Sequence, residues 1–191
     1  MKKYDIVKEE QVFKTGRMEG VKRTLQAEDG DTFTHTIIKS QPSVAVIIRD
    51  GKGNIAFIRQ LRSTTNQYYW ELPAGVMEPY ECLMYNAAKR EAEEETGLLI
   101  KDVEILIKGP SFLDPSKSDE DFGVAVATAY GQVERNLDED EKIDKEVFWM
   151  SEEEVFARIR NQMENGVHFY EGMYMTGHSI YALLSYLFLC K

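Results

Sequence analysis

The sequence has little cysteine, little histidine and no long apolar run, and each scarcity excludes a class of protein. Its two cysteines, Cys82 and Cys190, form no C-x-x-C pair, so neither a disulfide framework nor a cysteine zinc site is expected. The three histidines, His35, His168 and His178, lack the spacing of metal ligands. The longest apolar stretch, Ile180 to Cys190, is too short to cross a bilayer. No apolar segment follows the N-terminal lysines as a signal peptide would require. A cytoplasmic protein without a membrane partner is the resulting expectation. Basic residues are outnumbered, 23 Lys and Arg against 33 Asp and Glu, for a net charge of −10. That balance argues against a nucleic-acid partner, since phosphates require a basic face. It still permits an anionic ligand, because a bound cation reverses the local field.

What is present suits a folded domain with a small extension. The chain has 191 residues, of which 43% are hydrophobic, enough to bury a core. The division expected is an N-terminal β-rich extension over 1–40 and a main domain over 41–191. Residues 20–39 predict a β-hairpin turning at Glu28-Asp29-Gly30-Asp31, with Phe33, His35 and Ile37 alternating on one face. Ser43 to Ile48 and Ile55 to Ile58 predict paired strands around a turn at Asp50 to Asn54. Gly51-x-Gly53 does not qualify as a dinucleotide fingerprint, because a strand pattern follows where a helix must open. Helices are expected over 82–96, from Ser151 through a capping box with Glu154, and over 178–189. The last is apolar on most faces and reads as a core or dimer-interface helix. Strands are expected at 98–108, 122–130 and 147–150. The mixture of hairpins and helices indicates an α/β or α+β sandwich with a mixed sheet.

The stretch from Glu71 to Leu98, ELPAGVMEPYECLMYNAAKREAEEETGL, carries the chemistry. At about 100° per residue, Glu91, Glu94 and Glu95 share the helix face of Met84, Ala87 and Ala88, and Glu93 points roughly the opposite way. A solvated acidic face does not explain this. These carboxylates lie on the small apolar side and in the last turns, where the helix dipole disfavours each by roughly 0.3–1 kcal/mol. Like charge at i,i+4 adds a few tenths more. A cation would relieve the penalty, and oxygen-only ligands suit Mg²⁺ or Mn²⁺.

The same stretch resembles the Nudix hydrolase box, G-x5-E-x7-R-E-U-x-E-E-x-G-U with U a bulky apolar residue. Gly75 and Glu81 match its start, and Arg90-Glu91-Ala92-Glu93-Glu94-Glu95-Thr96-Gly97-Leu98 matches its end. Ala92 is small for U, and eight residues rather than seven separate Glu81 from Arg90. The resemblance implies an α/β/α sandwich and hydrolysis of a nucleoside diphosphate linked to another moiety. It implies Glu91 and Glu95 as principal metal ligands, Glu94 assisting, and Arg90 orienting the glutamates. In the subgroup acting on ADP-ribose and related nucleotide sugars, the carbonyl before the box glycine, here that of Ala74, is also a ligand. That subgroup is further resembled by the N-terminal extension, by Gln60-Leu61-Arg62, by Pro115, by Ser118-Asp119-Glu120 and by the acidic run around Glu141. Glu141 is the candidate general base, with Glu120 its competitor. Arg62 could grip a diphosphate through its forked donors, with Arg59 as the alternative. Phe33, Tyr68, Tyr69 and Trp70 are candidates to stack a base. The implied partner is a small-molecule nucleoside diphosphate sugar, and the implied assembly is a homodimer through the extension.

Overall fold

The computed structural model describes residues 2–16, 18–135, 146–165 and 174–190. The chain divides into two compact units, Met1–Pro42 with Gly109–Phe122, and Ser43–Lys108 with Gly123–Lys191.

The first unit holds a three-stranded antiparallel sheet in the order β1 (Tyr4–Thr15), β2 (Met18–Ala27), β3 (Thr32–Lys39). The hairpin expected at 20–39 is β2 and β3. β1, which the sequence reading did not identify, adds a third strand outside it. Every residue of β1 is exposed, so it lacks the half-buried alternation by which strands are recognised. Of the alternating residues Phe33, His35 and Ile37, only Ile37 is buried. The segment Gly109–Phe122 joins this sheet through long-range bonds. The Ile38 amide donates to the Lys117 carbonyl (2.8 Å) and the Ser40 amide to Asp119 Oδ1 (2.9 Å). Arg23, whose side chain is 18% exposed, donates from Nε to Glu9 Oε1 (2.7 Å) and from Nη2 to Asp119 Oδ2 (3.0 Å).

The second unit is built on an eight-stranded mixed sheet. Its elements are β4 (Ser43–Arg49), β5 (Asn54–Arg62), β6 (Gln67–Glu71), β7 (Ala74–Val76), α1 (Met84–Thr96), β8 (Leu98–Ile107), β9 (Phe122–Gln132), β10 (Glu146–Ser151), α2 (Glu152–Asn165), β11 (Tyr174–Met175) and α3 (Gly177–Cys190). The sheet order is β11-β6-β5-β4-β9-β8, with β10 on β5 and β7 on β4. β4 reads as a continuous apolar run because both its faces are covered. Val44, Val46 and Ile48 face α1 and pack with Ala56, Ala87, Ala88 and Ala92. Ala45, Ile47 and Arg49 alternate to the other face, where Arg49 Nη1 donates to the Tyr186 hydroxyl of α3 (2.8 Å). That hydroxyl donates to Glu152 of α2 (2.8 Å). One helix therefore lies on one face of the sheet and two on the other, which is the sandwich expected.

The alanines explain the small residue at the box position Ala92. Ala87, Ala88 and Ala92 have no exposed surface, and their small size lets α1 approach the sheet closely. Of the expected capping box the serine half is seen, with the Glu154 amide bonded to Ser151 Oγ at 3.2 Å, and the Glu154 carboxylate accepts from Arg158. α3 buries Ser179, Ala182, Leu183 and Tyr186, whereas Phe188 and Leu189 at its end are exposed. No helix among the described residues is long and apolar enough to cross a membrane.

Candidate active site

The glutamate helix begins at Met84, two residues later than its sequence indicates, and ends at Gly97 in the left-handed region (φ 70°). The Gly97 amide bonds the Glu93 carbonyl at 2.9 Å, a glycine C-cap. Glu91 and Glu95 are buried on α1, and Glu94 is partly buried. The buried stripe runs Ala87, Ala88, Glu91, Ala92, Glu95, Thr96. It is centred slightly further round the helix than Met84, and this leaves Glu94 at its edge.

Arg90 organises the cluster. Its Nε donates to Glu81 Oε1 (3.1 Å) and its Nη2 to Glu81 Oε2 (3.1 Å) and to the Val76 carbonyl (2.9 Å). Its Nη1 donates to Glu91 Oε1 (2.7 Å) and Glu94 Oε2 (3.0 Å). Burial works against the charged guanidinium, but Glu81 and then Glu91 outweigh it and hold Arg90 protonated more firmly than usual. The additional residue between Glu81 and Arg90 does not separate the pair. The exposed residues Cys82 and Leu83 carry the chain from Glu81 to the helix and absorb it. Glu81 is itself buried and accepts the Glu78 amide at 2.7 Å. Burial pushes its pKa up, and Arg90 and that amide more than reverse the effect.

β7 closes on this cluster from the sheet side. The Ala74 amide donates to Glu95 Oε2 at 2.9 Å. A Cβ on Gly75 would lie 2.1 Å from the Glu91 carboxyl, so only glycine allows the strand and that carboxylate to approach so closely. Burial pushes Glu91 up to about 7, with Arg90 opposing and the neighbouring Glu95 and Glu94 adding to the rise. Among the described residues no three acidic, histidine or cysteine side chains already converge as a ligand set, and Arg90 and the Ala74 amide occupy carboxylate oxygens. The donors are nevertheless all hard oxygens, crowded, desolvated and mutually repelling. That environment suits a hard divalent cation.

The other sequence candidates fall in several places. Arg62 forks onto Glu71, with Nε donating to Oε1 at 2.7 Å and Nη2 to Oε2. Arg59 pairs with Glu146 (2.9 Å) and its guanidinium lies 5.0 Å over the Tyr68 ring. Trp70 is covered by Arg158, 4.0 Å above its ring, and Tyr69 contacts Tyr174 at 6.3 Å between centroids. Phe33 belongs to the N-terminal unit, exposed and edge-on to Tyr4 (5.3 Å). Glu120 lies in the segment joined to that unit, its amide accepted by Ser118 Oγ (3.1 Å). Glu141 lies outside the described residues. Glu71, a buried carboxylate within ELPAG, escaped the sequence reading; its available signal was an acid flanked by Trp70 and Leu72 in a strand.

Several known proteins are similar to this chain. The chain is 29% identical over 157 residues to an ADP-ribose pyrophosphatase of Mycobacterium tuberculosis, covering 80% of this chain and 74% of that one. It is 31% identical over 141 residues to an ADP-ribose pyrophosphatase of Bacillus subtilis, covering 72% and 74%. It is 34% identical over 145 residues to a methanol dehydrogenase activator of Bacillus methanolicus, covering 72% and 74%. A solved structure described as an ADP compounds hydrolase shares the fold, with a TM-score of 0.69 at 22% identity over 96% of this chain and 91% of that one. The NUDIX domain matches residues 39–171, well over half of the chain, and with the Arg90-centred carboxylates of α1 it places this protein in the Nudix family.

Proposed function

We propose that this protein hydrolyses the diphosphate bridge of ADP-ribose or a related nucleoside diphosphate sugar, releasing a nucleoside monophosphate and a sugar phosphate. Two relatives that it matches over most of their length are named ADP-ribose pyrophosphatases. The observation that carries the reading is the gathering of three carboxylates at one place: Glu91 and Glu94 on Arg90, Glu91 against Gly75, and Glu95 on the Ala74 amide. A binding module has no need to gather repelling carboxylates at a helix C-terminus, whereas a metal-assisted phosphoryl hydrolase does.

Glu91, Glu94, Glu95 and the Ala74 carbonyl would hold Mg²⁺ or Mn²⁺. The bound ion would neutralise phosphate charge and make water a stronger nucleophile at neutral pH. Arg90 keeps the glutamates oriented through its fork to Glu81 and its bonds to Glu91 and Glu94. Arg62 supplies donors for the diphosphate. Glu141 takes the proton from attacking water, with Glu120 as the competing base. The resemblance also supports a homodimer formed through the N-terminal extension.

The test is an end-point assay with Mg²⁺ on ADP-ribose, ADP-glucose, GDP-mannose, NADH, coenzyme A and ATP, with products separated by chromatography. AMP and ribose 5-phosphate from ADP-ribose is the expected result. Turnover of coenzyme A or ATP instead would move the protein to another Nudix substrate class. Tight binding without turnover of any compound would make it a sensor.

A further inference from the structure

We infer that Glu71 is a positioning residue that presents the Arg62 guanidinium to the substrate diphosphate, a reading that rests on the proposed function. Glu71 is 5% exposed, and its side chain 6%. Both of its carboxylate oxygens accept from one guanidinium, through Nε and Nη2 of Arg62. This two-point fork fixes the plane of the group as well as its place. Arg62 is not buried along with its partner: 47% of its side chain is open to solvent.

Stability alone does not account for the pair. Burying a carboxylate is costly, and apolar residues of similar volume commonly replace a buried ion pair without loss. The surrounding sheet is rich in such residues, including Ile58 directly opposite Glu71 in register. A buried acid holding a half-exposed base is instead suited to preorganisation, because a flexible side chain is fixed before the ligand arrives.

The topology places the pair on the productive side of the sheet. Ala56 of β5 packs in the cluster with Ala87, Ala88 and Ala92 of α1. Alternation from Ala56 sends Ile58, Gln60 and Arg62 to that same face. Glu71 is paired with Ile58 across β5 and β6 and shares the face as well. The oriented cation and the glutamate helix therefore lie on one side of one sheet, within one structural unit. Three residues after Glu71 the chain reaches Ala74, whose amide holds Glu95. A diphosphate would thus meet a cation at the helix and a fixed guanidinium on the adjoining strand.

The test measures ADP-ribose affinity by calorimetry in EDTA, where hydrolysis cannot interfere, together with KM and kcat in Mg²⁺. The proteins compared are wild type, Glu71→Gln, Arg62→Lys and the double variant, each with a thermal melt. Glu71→Gln is expected to weaken binding and raise KM about tenfold while kcat stays within about twofold. The double variant is expected to be no worse than the weaker single one, because both changes remove the same oriented donor. A merely structural role would lower the melting temperature of Glu71→Gln and leave affinity and KM alone. That result, or additive losses in the double variant, overturns the positioning role. If Glu71→Gln fails to fold, Glu71→Asp gives the same reading, since it keeps the charge and draws the carboxylate back by one methylene. Wild type cleaving ADP-ribose with Glu71→Gln equal to it sinks the positioning role alone. Wild type neither binding nor cleaving ADP-ribose sinks the functional reading too.

Discussion

Individual residues decide what the glutamate helix can do. Glu95 is 3% exposed and accepts the Ala74 amide, so replacing its charge with an isosteric amide should preserve that contact and remove a cation ligand. Glu95→Gln is expected to lower turnover at least about a hundredfold with little change in thermal melting. Equal turnover in the two proteins would remove Glu95 from the ligand set. Gly75→Ala tests the close approach separately. Its Cβ would collide with the Glu91 carboxyl at 2.1 Å, so Mn²⁺ binding followed by electron paramagnetic resonance should weaken although no ligand has been changed. At this scale the sequence was informative wherever the partners lie on one helix. Arg90, Glu91, Glu94 and Glu95 lie within six consecutive positions, and helical periodicity puts them together. Glu81 was ambiguous because the spacing to Arg90 is irregular, and only the path through Cys82 and Leu83 shows that the fork survives. The Arg62–Glu71 pair was illegible because its partners meet through the register of β5 with β6, which no local pattern encodes.

The ends of α1 are chemically unequal, and each supports a prediction. At the start, Leu83 occupies the cap position with extended backbone (φ −132°, ψ 130°) and no side-chain cap bond. It is also 61% exposed, so little packing is lost on replacement. Leu83→Asp is expected to stabilise the protein by about 0.5–1 kcal/mol in urea denaturation. At the other end, Gly97 has φ 70°, and a Cβ there would lie 2.5 Å from the Val133 carbonyl oxygen. Gly97→Ala should cost roughly 1–2 kcal/mol by the same measurement. Helix type was legible where burial is periodic, as in α1 and α2, and the core strand β4 was legible from its unbroken apolar run. β1 was missed because nothing buries it unevenly, and β11 because two residues, Tyr174 and Met175, carry no period.

For the whole molecule, the proposal requires metal-dependent turnover that vanishes in excess EDTA and returns with Mg²⁺ or Mn²⁺. Hydrolysis that persists in EDTA would contradict it. The proposed homodimer should elute at twice the chain mass on gel filtration, and elution as a single chain would refute it. The sequence reading expects a β-rich extension over 1–40 and does not assign Gly109–Phe122 to it. Nothing local in Gly109–Phe122 says that it packs with the first 42 residues, since the bonds that hold it there are long-range. That interleaving has a consequence for how the chain is made. Ser40 and Asp119, which are bonded to each other, stand 79 positions apart, and the intervening chain belongs mostly to the other unit. On the ribosome the N-terminal hairpin can form early, but its closing segment emerges only after β4 to β8 have been synthesised. Completion of the first-made part must wait on a later stretch of translation.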